Sequence, residues 1–355
     1  MRRWLLLQIG RAGLAAWATA SLVFILSRVL VAGAEEVMLG ESDDLRAHAS
    51  SIGQADQLAA RQALRQRLGL TEPVFYLTRT SRDSATWRWH GTHNQYHHWV
   101  VGLLHGQLGA SYRDGQPIGP RLRAALAYTL PLAGAAAVVA GLGALALGLA
   151  LASGPLAGST GWRAGLQVLL TSLQSIPVFA LALGLLFVFA NPDALNLLPA
   201  YSLGSGSADL APGAFALQLL MPLLTLVLAV LPELTLPLAA ALRRELQADY
   251  ATTARAKGVP TATLLRRHAL PNALLPLLTS FAGLLPTLLA GTVLVETVFA
   301  IPGVGRLLAE SAAAHDYPVV VAGVLFTAVV RLLCLALADA LQALVDPRIR
   351  LASCV

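Results

Sequence analysis

Six long apolar runs, each nearly free of charged side chains, restrict the fold of this chain more than any other feature of its sequence. A helix of about 20 residues, rising about 1.5 Å per residue, crosses a hydrocarbon layer about 30 Å thick. The chain is 56% hydrophobic and 12% charged, and is therefore more apolar than an average soluble domain. We predict an all-α, polytopic membrane protein. Its six transmembrane helices are predicted at residues 12–32, 127–151, 166–190, 215–242, 274–295 and 319–344.

The arginines beside these runs predict the orientation of the protein, because cytoplasmic loops carry an excess of Lys and Arg. With six spans, most basic segments fall on one side of the membrane. They are Arg2, Arg3 and Arg11 before the first span, Arg163 between the second and third, the connection 243–273 between the fourth and fifth, and Arg348 and Arg350 after the sixth. Arg121 and Arg123 fall on the other side and count mildly against this topology. Both termini, residues 1–11 and 345–355, are therefore predicted to be cytoplasmic.

The first apolar run has a second interpretation, as a cleavable signal peptide. Arg2 and Arg3, an apolar core and the small residues 32–34 fit such a signal. Arg28 interrupts the apolar core close to that cleavage site, and cleavage would leave five spans. We therefore interpret residues 12–32 as an uncleaved anchor.

The connection between the fourth and fifth runs carries a pattern of its own. We call residues 243–271, RRELQADYATTARAKGVPTATLLRRHALP, the polar island. It holds six Lys and Arg residues against two acidic ones, which predicts a cytoplasmic position. Leu246, Tyr250 and Ala254 recur four residues apart, as on one face of a helix, and Gly258 is typical of a helix stop. The pattern predicts a helix, a glycine turn and a second helix.

External segments are predicted at residues 33–126 and 296–318. The longer one is too irregular for an enzyme domain, but its histidines could bind a metal, because imidazoles three and four residues apart converge on one face of a helix. They are His90, His93, His97 and His98. No obvious carboxylate or cysteine completes the set, and Gly91 and Asn94 disfavour a helix here. We expect a solvated loop without a metal, and a membrane metalloenzyme is the weakest functional hypothesis.

Motifs of nucleotide hydrolysis and of hydrolase catalysis are absent from the sequence. It has no GxxxxGK[ST] loop to hold phosphates, and neither GxSxG nor HExxH. Its net charge of +6 is spread over short loops beside apolar runs, so membrane topology explains the charge better than nucleic-acid binding does. We therefore expect no catalytic residue and no cofactor in this chain.

The polar island also resembles a known signature. Permease subunits of ABC importers carry Glu-Ala-Ala, three residues, Gly, nine residues and then Ile-x-Leu-Pro on the cytoplasmic side. Here Thr252-Thr253-Ala254, Gly258 and His268-Ala269-Leu270-Pro271 stand at that spacing. The segments LGLTEPV, GQLGASYRDGQPI, TARAKG, LLRRHALPNALLPLL, VETVFAIPGVGRLL, DYPVV and DPRIR resemble, in that order, the dipeptide and oligopeptide permease family.

Four features depart from that family's pattern. Thr252 and Thr253 stand in place of Glu-Ala, so Thr252 offers no carboxylate to a partner. His268 replaces the Ile of the signature. Residues from about 77 to 97 look additional, and VAGAEEVM ends the first span where relatives commonly have Pro-Gly-Asp. The external contacts of the family are therefore the least transferable part of the resemblance.

The resemblance implies a type I ABC importer permease fold in the inner membrane. The partners it implies are a second homologous permease chain, two ATPase subunits that hold ATP and Mg²⁺, an external solute-binding protein and the lipid bilayer. The connection 243–273 would be the coupling loop, seated in a groove of an ATPase subunit. Its candidate coupling residues are Leu246, Tyr250, Thr252, Thr253, Ala254, Gly258, Leu264, Leu265, Leu270 and Pro271. Four of them, Leu246, Tyr250, Leu264 and Leu265, are predicted to make the apolar contacts that lock the island.

Two acidic residues in apolar surroundings are predicted to serve transport. Glu233 lies between two prolines in the fourth run, where the helix can unwind locally, and is predicted to line the pathway. Glu296, at the outer end of the fifth run, is predicted to hold an external gate with Pro302 and Gly303. Buried charges also fit an ion-coupled secondary transporter, but that hypothesis gives no reason for the polar island. The function predicted is therefore an ATP-driven importer permease for peptides or related small solutes.

Overall fold

A computed structural model describes residues 10–11, 13–28, 62, 71–79, 87–153, 161–198 and 217–345, of which 79, 275–282, 285–286 and 337–345 are described by their backbone only. Most of both predicted cytoplasmic termini lies outside these residues. The chain forms two compact units. The first unit comprises Met1–Gly13, Ala124–Ala309 and Thr327–Val355, and the second comprises Leu14–Arg123 and Glu310–Phe326.

The described chain is mostly helical, as predicted. Its helices are α1 (Gly13–Arg28), α2 (Gln95–Leu104), α3 (Ile118–Ala152), α4 (Gly161–Gln174), α5 (Val178–Phe189), α6 (Leu220–Gln247), α7 (Asp249–Ala256), α8 (Thr261–Leu264), α9 (Leu270–Val298), α10 (Val304–Ala313) and α11 (Tyr317–Val345). A π-helical turn, Leu265–Ala269, joins α8 to α9. An antiparallel pair of short strands, β1 (Leu77–Arg79) and β2 (Trp87–Trp89), is an addition to the predicted all-α fold.

Three helices in the described part of the chain are long and apolar enough to cross a membrane, namely α3, α6 and the segment Tyr317–Ala336 of α11. The pair α4 and α5 makes a fourth if it forms one broken span. The helix α1 and the segment Thr287–Val298 of α9 are apolar but shorter. A multi-pass helical membrane protein is therefore confirmed, and the count of six spans stays a prediction.

The third predicted span, residues 166–190, is not one continuous helix. The axes of α4 and α5 meet at 109° across a short break that ends at Pro177. Proline has no N–H to donate within a helix, and its ring disfavours helical backbone in the preceding residue, here Ile176. The prediction missed the bend because it weighed only the absence of charge along this run.

The first unit is built around α6, which packs against α4, α5 and α9. One stripe of α6 is buried at every fourth residue, as expected for a helix that presents one face to a core: Val230, Leu234, Leu238, Leu242 and Leu246. The facing stripe of α3 is made of small residues at the same spacing: Ala136, Ala140, Ala144 and Gly148. Small residues let two helices approach closely.

Changing Gly148 to valine is expected to destabilise the first unit by about 1–3 kcal/mol through overpacking. A Cβ at Gly148 would lie 2.8 Å from Cδ2 of Leu238, closer than carbon atoms pack. Thermal unfolding of the purified protein measures the loss. Truncation of the neighbour, Leu238→Ala, should restore part of the stability in the double variant, and purely additive losses would contradict this contact.

Aromatic side chains hold α1, α2 and the strand region together in the second unit. The ring of Tyr96 on α2 lies 5.4 Å from that of Phe24 on α1 and 4.9 Å from that of Phe75. Its hydroxyl is 2.6 Å from Oγ of Ser21, so the buried polar end of Tyr96 is satisfied. Trp89 of β2 stacks on Tyr76 at 5.7 Å. The predicted solvated insert therefore contributes packed aromatic residues as well as exposed ones.

Candidate functional site

The polar island folds as a helix, a turn and a second helix, as its sequence predicts, but Leu246 lies on α6 and not on the helix that carries Tyr250 and Ala254. The helix α6 ends at Gln247, one residue of extended backbone follows at Ala248, and α7 begins at Asp249. After the turn, α8 and the π-helical turn run without a break into α9. The island is thus held at both ends by long helices, so a displacement of its exposed surface would be transmitted to α6 and α9.

Gly258 ends α7 in the left-handed region of backbone conformation, with φ at +80°. The N–H of Val259 donates to the carbonyl of Ala254 at 3.1 Å, and the N–H of Gly258 donates to the carbonyl of Arg255 at 2.9 Å. These two bonds form a Schellman motif, in which glycine avoids the strain that a Cβ causes. A Cβ at Gly258 would meet no atom within 4 Å, so only the backbone conformation requires glycine here.

Apolar residues of the island anchor it to the core of its own chain. Leu246, Leu264 and Leu265 are 4%, 0% and 4% exposed, and they join the same buried cluster as the core of α6. Ala251 and Ala269 are buried in that cluster as well. Three of the four residues predicted to make the apolar contacts of the island, Leu246, Leu264 and Leu265, therefore pack within this chain. Little of their surface remains for contact with a partner.

The opposite surface of the island is polar, basic and exposed. Tyr250, Thr252, Thr253, Gly258 and Pro271 are exposed among the predicted coupling residues, whereas Ala254 and Leu270 are half-buried. Exposed cations lie around them: Arg243, Arg244, Lys257, Arg266 and Arg267. Within the described residues none of these cations has a carboxylate within 4 Å. The surface is therefore suited to contact an acidic or polar partner.

Three hydrogen-bonded side chains connect the two ends of the polar island. The hydroxyl of Tyr250 donates to Oε2 of Glu245 at 2.7 Å, and Nδ2 of Asn272 donates to the same oxygen at 3.0 Å. Partial burial and the Glu245 carboxylate raise the pKa of Tyr250 to about 12. Tyr250 therefore stays a neutral donor at physiological pH, and Glu245 at the end of α6 connects the start of α7 to the start of α9 through these two bonds.

Removal of this hydroxyl in Tyr250→Phe is expected to cost about 1 kcal/mol of stability, because one hydrogen bond to a carboxylate is lost at a partly exposed position. The cost should disappear when Glu245 is already changed to alanine, since the two residues share the bond. Thermal unfolding of the single and double variants measures the coupling between them. If the two losses simply add, the hydrogen bond between Tyr250 and Glu245 does not stabilise the protein.

The far end of α9 carries a buried carboxylate. Glu296 is 0% exposed, its Oε1 accepts from the hydroxyl of Thr129 at 2.6 Å, and its Oε2 accepts from the N–H of Gly305 at 2.6 Å and of Arg306 at 3.3 Å. The N–H of Val304 donates to Oγ1 of Thr129 at 2.9 Å. We call Glu296, Thr129 and the first turn of α10 the carboxylate node. A carboxylate at the first turn of a helix satisfies free N–H groups and interacts favourably with the helix dipole.

Glycines make this node possible. A Cβ at Gly303 would lie 2.2 Å from Cδ of Glu296, and one at Gly305 would lie 2.3 Å from Cα of Val293. The chain leaves α9 through Ala300 at φ +56°, and the N–H of Ile301 donates to the carbonyl of Glu296 at 2.9 Å. The structure thus brings together Glu296 and Gly303, which the sequence grouped, with Pro302 half-buried in the same turn.

The remaining predicted residues do not converge. Glu233 is exposed on the surface of α6. Nε2 of His90 lies 2.6 Å from Oγ1 of Thr78, Nδ1 of His97 lies 3.1 Å from the hydroxyl of Tyr76, and Nε2 of His98 lies 3.3 Å from Glu72. No three His, Cys, Asp or Glu side chains among the described residues are placed to hold a metal.

A second buried carboxylate was not predicted from the sequence. Asp316 is 3% exposed, its Oδ2 accepts from the hydroxyl of Ser111 at 2.5 Å, and its Oδ1 accepts from the N–H of Tyr112 at 2.9 Å. Asp316 immediately precedes α11, the position of a helix N-cap, and that position was the available signal. The structure thereby joins the segments GQLGASYRDGQPI and DYPVV within the second unit. Thr129, the partner of Glu296, gave no signal in the sequence.

Comparison with known proteins gives a consistent picture. Residues 144–351 match the family model of the binding-protein-dependent transport system inner membrane component. The chain is 31% identical to the di/tripeptide transport system permease protein of Pseudomonas aeruginosa, over 93% of both chains. It is 32% identical to the probable D,D-dipeptide transport system permease protein of Escherichia coli, over 81% of this chain and 83% of the relative. It is 31% identical to the glutathione transport system permease protein of Salmonella typhimurium, with the same two coverages.

Proposed function

This chain belongs to the family of inner membrane components of binding-protein-dependent transport systems, and we propose that it forms half of the translocation pathway for peptides in an ATP-driven importer. It is a multi-pass permease subunit of the inner membrane and not an enzyme. A solute-binding protein and ATPase subunits are its partners in such a system. The other half of the pathway is a second, homologous permease subunit, with two ATPase subunits bound to the pair.

The single observation that carries the mechanism is the construction of the polar island. Its buried face, with Leu246, Leu264 and Leu265, is fixed to the core of the chain, and its exposed face is basic. A partner that pushes on the exposed face therefore moves α6 and α9 rather than a free loop. The partner is an ATPase subunit, and Tyr250, Thr252 and Thr253 lie in its groove. ATP and Mg²⁺ stay on that subunit.

The proposed topology has six spans with both termini in the cytoplasm. The arginine distribution supports it, because the polar island and both terminal segments then lie on the same side. In this topology the carboxylate node, at the far end of α9, lies on the external side and holds the turn between α9 and α10 closed. Glu233 is exposed in the otherwise uncharged part of α6 that precedes the polar island, so it faces the pathway or the second permease subunit.

Peptides are the proposed cargo because the relatives carry the names of dipeptide, D,D-dipeptide and glutathione permeases. The binding protein delivers the cargo, so the permease accepts a class of small solutes rather than one molecule. The family of binding-protein-dependent transport components does not favour a secondary transporter.

Uptake by the reconstituted importer tests this proposal. The chain is purified with its permease and ATPase partners, placed in proteoliposomes and supplied with binding protein and a labelled dipeptide. We expect uptake only when ATP, the ATPase subunits and the binding protein are all present. Uptake driven by a proton or sodium gradient in the absence of ATP would refute the proposal in favour of a secondary transporter.

A further inference from the structure

The second unit contains a cavity of about 160 Å³ beside the end of α1. Its walls combine aromatic rings with polar groups: Phe24, Ser27, Arg28, Trp99, Tyr112 and Tyr317. The proposed transport mechanism makes no use of it. At about 30 Å³ per water molecule its volume corresponds to about five waters, enough for a small charged group but not for a whole peptide.

Two hydrogen-bond donors in this cavity have no acceptor among the described residues. Nε of Arg28 is buried and unpartnered, whereas Nη1 of the same guanidinium donates to the hydroxyl of Tyr112 at 2.6 Å. That hydroxyl accepts from Arg28, so its own proton remains available. Burial raises the pKa of Tyr112, which keeps the proton in place. The free edge of a guanidinium and a neighbouring hydroxyl are the donors that bind carboxylate or phosphate oxygens.

The positive charge of Arg28 also has no counter-charge in the described part of the chain. No carboxylate there lies within 4 Å of it. Asp316, whose carboxylate lies beside Tyr112, already accepts from the hydroxyl of Ser111 and the N–H of Tyr112. The ring of Phe24 stacks under the guanidinium at 4.9 Å and excludes water from one side. A partly buried cation without an anion is unfavourable, so an anionic ligand would stabilise it.

The position of Arg28 selects the kind of anion. It ends α1, near the external end of the predicted span 12–32, where a long basic side chain extends to the level of the lipid headgroups. Leu22, Ile25 and Leu26 form an exposed apolar face on the last turns of that helix. Trp99, Tyr112 and Tyr317 are aromatic residues of the kind found at membrane interfaces. Lipid tails fit the apolar face, and a lipid phosphate fits the cavity.

We propose that this cavity binds the phosphodiester group of a membrane phospholipid through Arg28 and Tyr112. The acyl chains lie along the face formed by Leu22, Ile25 and Leu26. The free Nε–H of Arg28 and the hydroxyl of Tyr112 donate to phosphate oxygens, as basic pockets between membrane helices do for lipid headgroups. The bound lipid compensates the charge of Arg28 and secures the end of α1 against Trp99 and Tyr112.

Native mass spectrometry of the assembled importer tests the proposal with dioleoyl phosphatidylglycerol as the added lipid. Wild type is expected to retain it, and Arg28→Gln to reduce the retained fraction about tenfold, because a charge-assisted pair of hydrogen bonds is lost. Tyr112→Phe keeps the charge and should reduce retention about fivefold through the loss of one hydrogen bond. The matched control is Arg88→Gln, which removes the same charge from the exposed strand β2 and should leave retention unchanged.

Two further ligands distinguish a bound lipid from other occupants of the cavity. Dioleoylglycerol has the chains without the phosphate and should be retained poorly, and glycerol 3-phosphate has the phosphate without the chains and should compete only at much higher concentration. Equal retention by wild type and both variants would overturn the proposal. So would full displacement by glycerol 3-phosphate at the lipid's own concentration, which indicates a soluble anion. Retention by the isolated chain but not by the assembled importer would also overturn it, because a protein partner then covers this face.

Discussion

Replacing Gly258 with valine is expected to lower ATP-driven uptake by about tenfold while the protein still inserts into the membrane. The backbone at this position has φ +80°, where a side chain costs about 1–2 kcal/mol. That cost corresponds to about a tenfold change in the population of the native turn. The turn joins α7 to α8. Its distortion therefore moves the exposed face of the polar island relative to its buried face. Uptake and binding-protein-stimulated ATP hydrolysis in proteoliposomes are the measurements.

The matched control for this variant is Gly106→Val. Gly106 also has a left-handed backbone, φ +74°, and a Cβ there also meets nothing within 4 Å. It lies in the second unit, outside the polar island. The two valine variants should lose similar stability. Only in the Gly258 variant should ATP hydrolysis become uncoupled from uptake. Equal losses of uptake in both variants would mean that strain alone, and not coupling, explains the effect.

Changes at the carboxylate node are expected to give the largest losses of stability. Glu296→Ala leaves the hydroxyl of Thr129 and the N–H groups of Gly305 and Arg306 without their acceptor in a buried place. Each buried donor left without an acceptor costs about 1–3 kcal/mol, so several kcal/mol of stability should be lost. Glu296→Gln keeps one acceptor oxygen and should cost clearly less. Thermal unfolding in detergent and the yield of assembled importer measure both.

The glycines of the node give an independent test. A Cβ at Gly305 would overlap with Cα of Val293 at 2.3 Å, which only a backbone shift could relieve, so Gly305→Ala should destabilise the protein strongly. The control is Gly283→Ala, on the same helix as Val293, where a Cβ meets nothing within 4 Å. Alanine is a better helix former than glycine, and this control should be neutral or stabilising. Similar losses at both glycines would contradict the packing described for the node.

The features that the sequence predicts well are those with a repeating physical signal. Uncharged runs locate α6 and α11 within about five residues, whereas α3 begins nine residues before its predicted span. Gly258 predicts the turn of the island, but the helix face predicted for Leu246, Tyr250 and Ala254 is divided between α6 and α7. The break at Pro177 was within reach, since proline disfavours helical backbone before it.

Contacts between distant segments could not be predicted in the same way. Thr129 is an ordinary threonine in an apolar helix until the fold brings it within 2.6 Å of Glu296. From the sequence pattern alone, Leu264 and Leu265 could pack against a partner protein or within the core of this chain. Only the structure shows that they are buried in this chain. Hydrophobic periodicity identifies an apolar face but does not state which protein covers it.

Photo-crosslinking from the polar island tests the central claim most directly. A benzophenone amino acid is placed at Thr253, on the exposed surface of α7, and as a control at Leu294, which is exposed near the opposite end of α9. In the assembled importer, the island position is predicted to crosslink to an ATPase subunit and the Leu294 position is predicted not to. Absence of an ATPase crosslink at position 253, or equal crosslinking from both positions, would contradict the assignment of the island as the joint between ATP hydrolysis and transport.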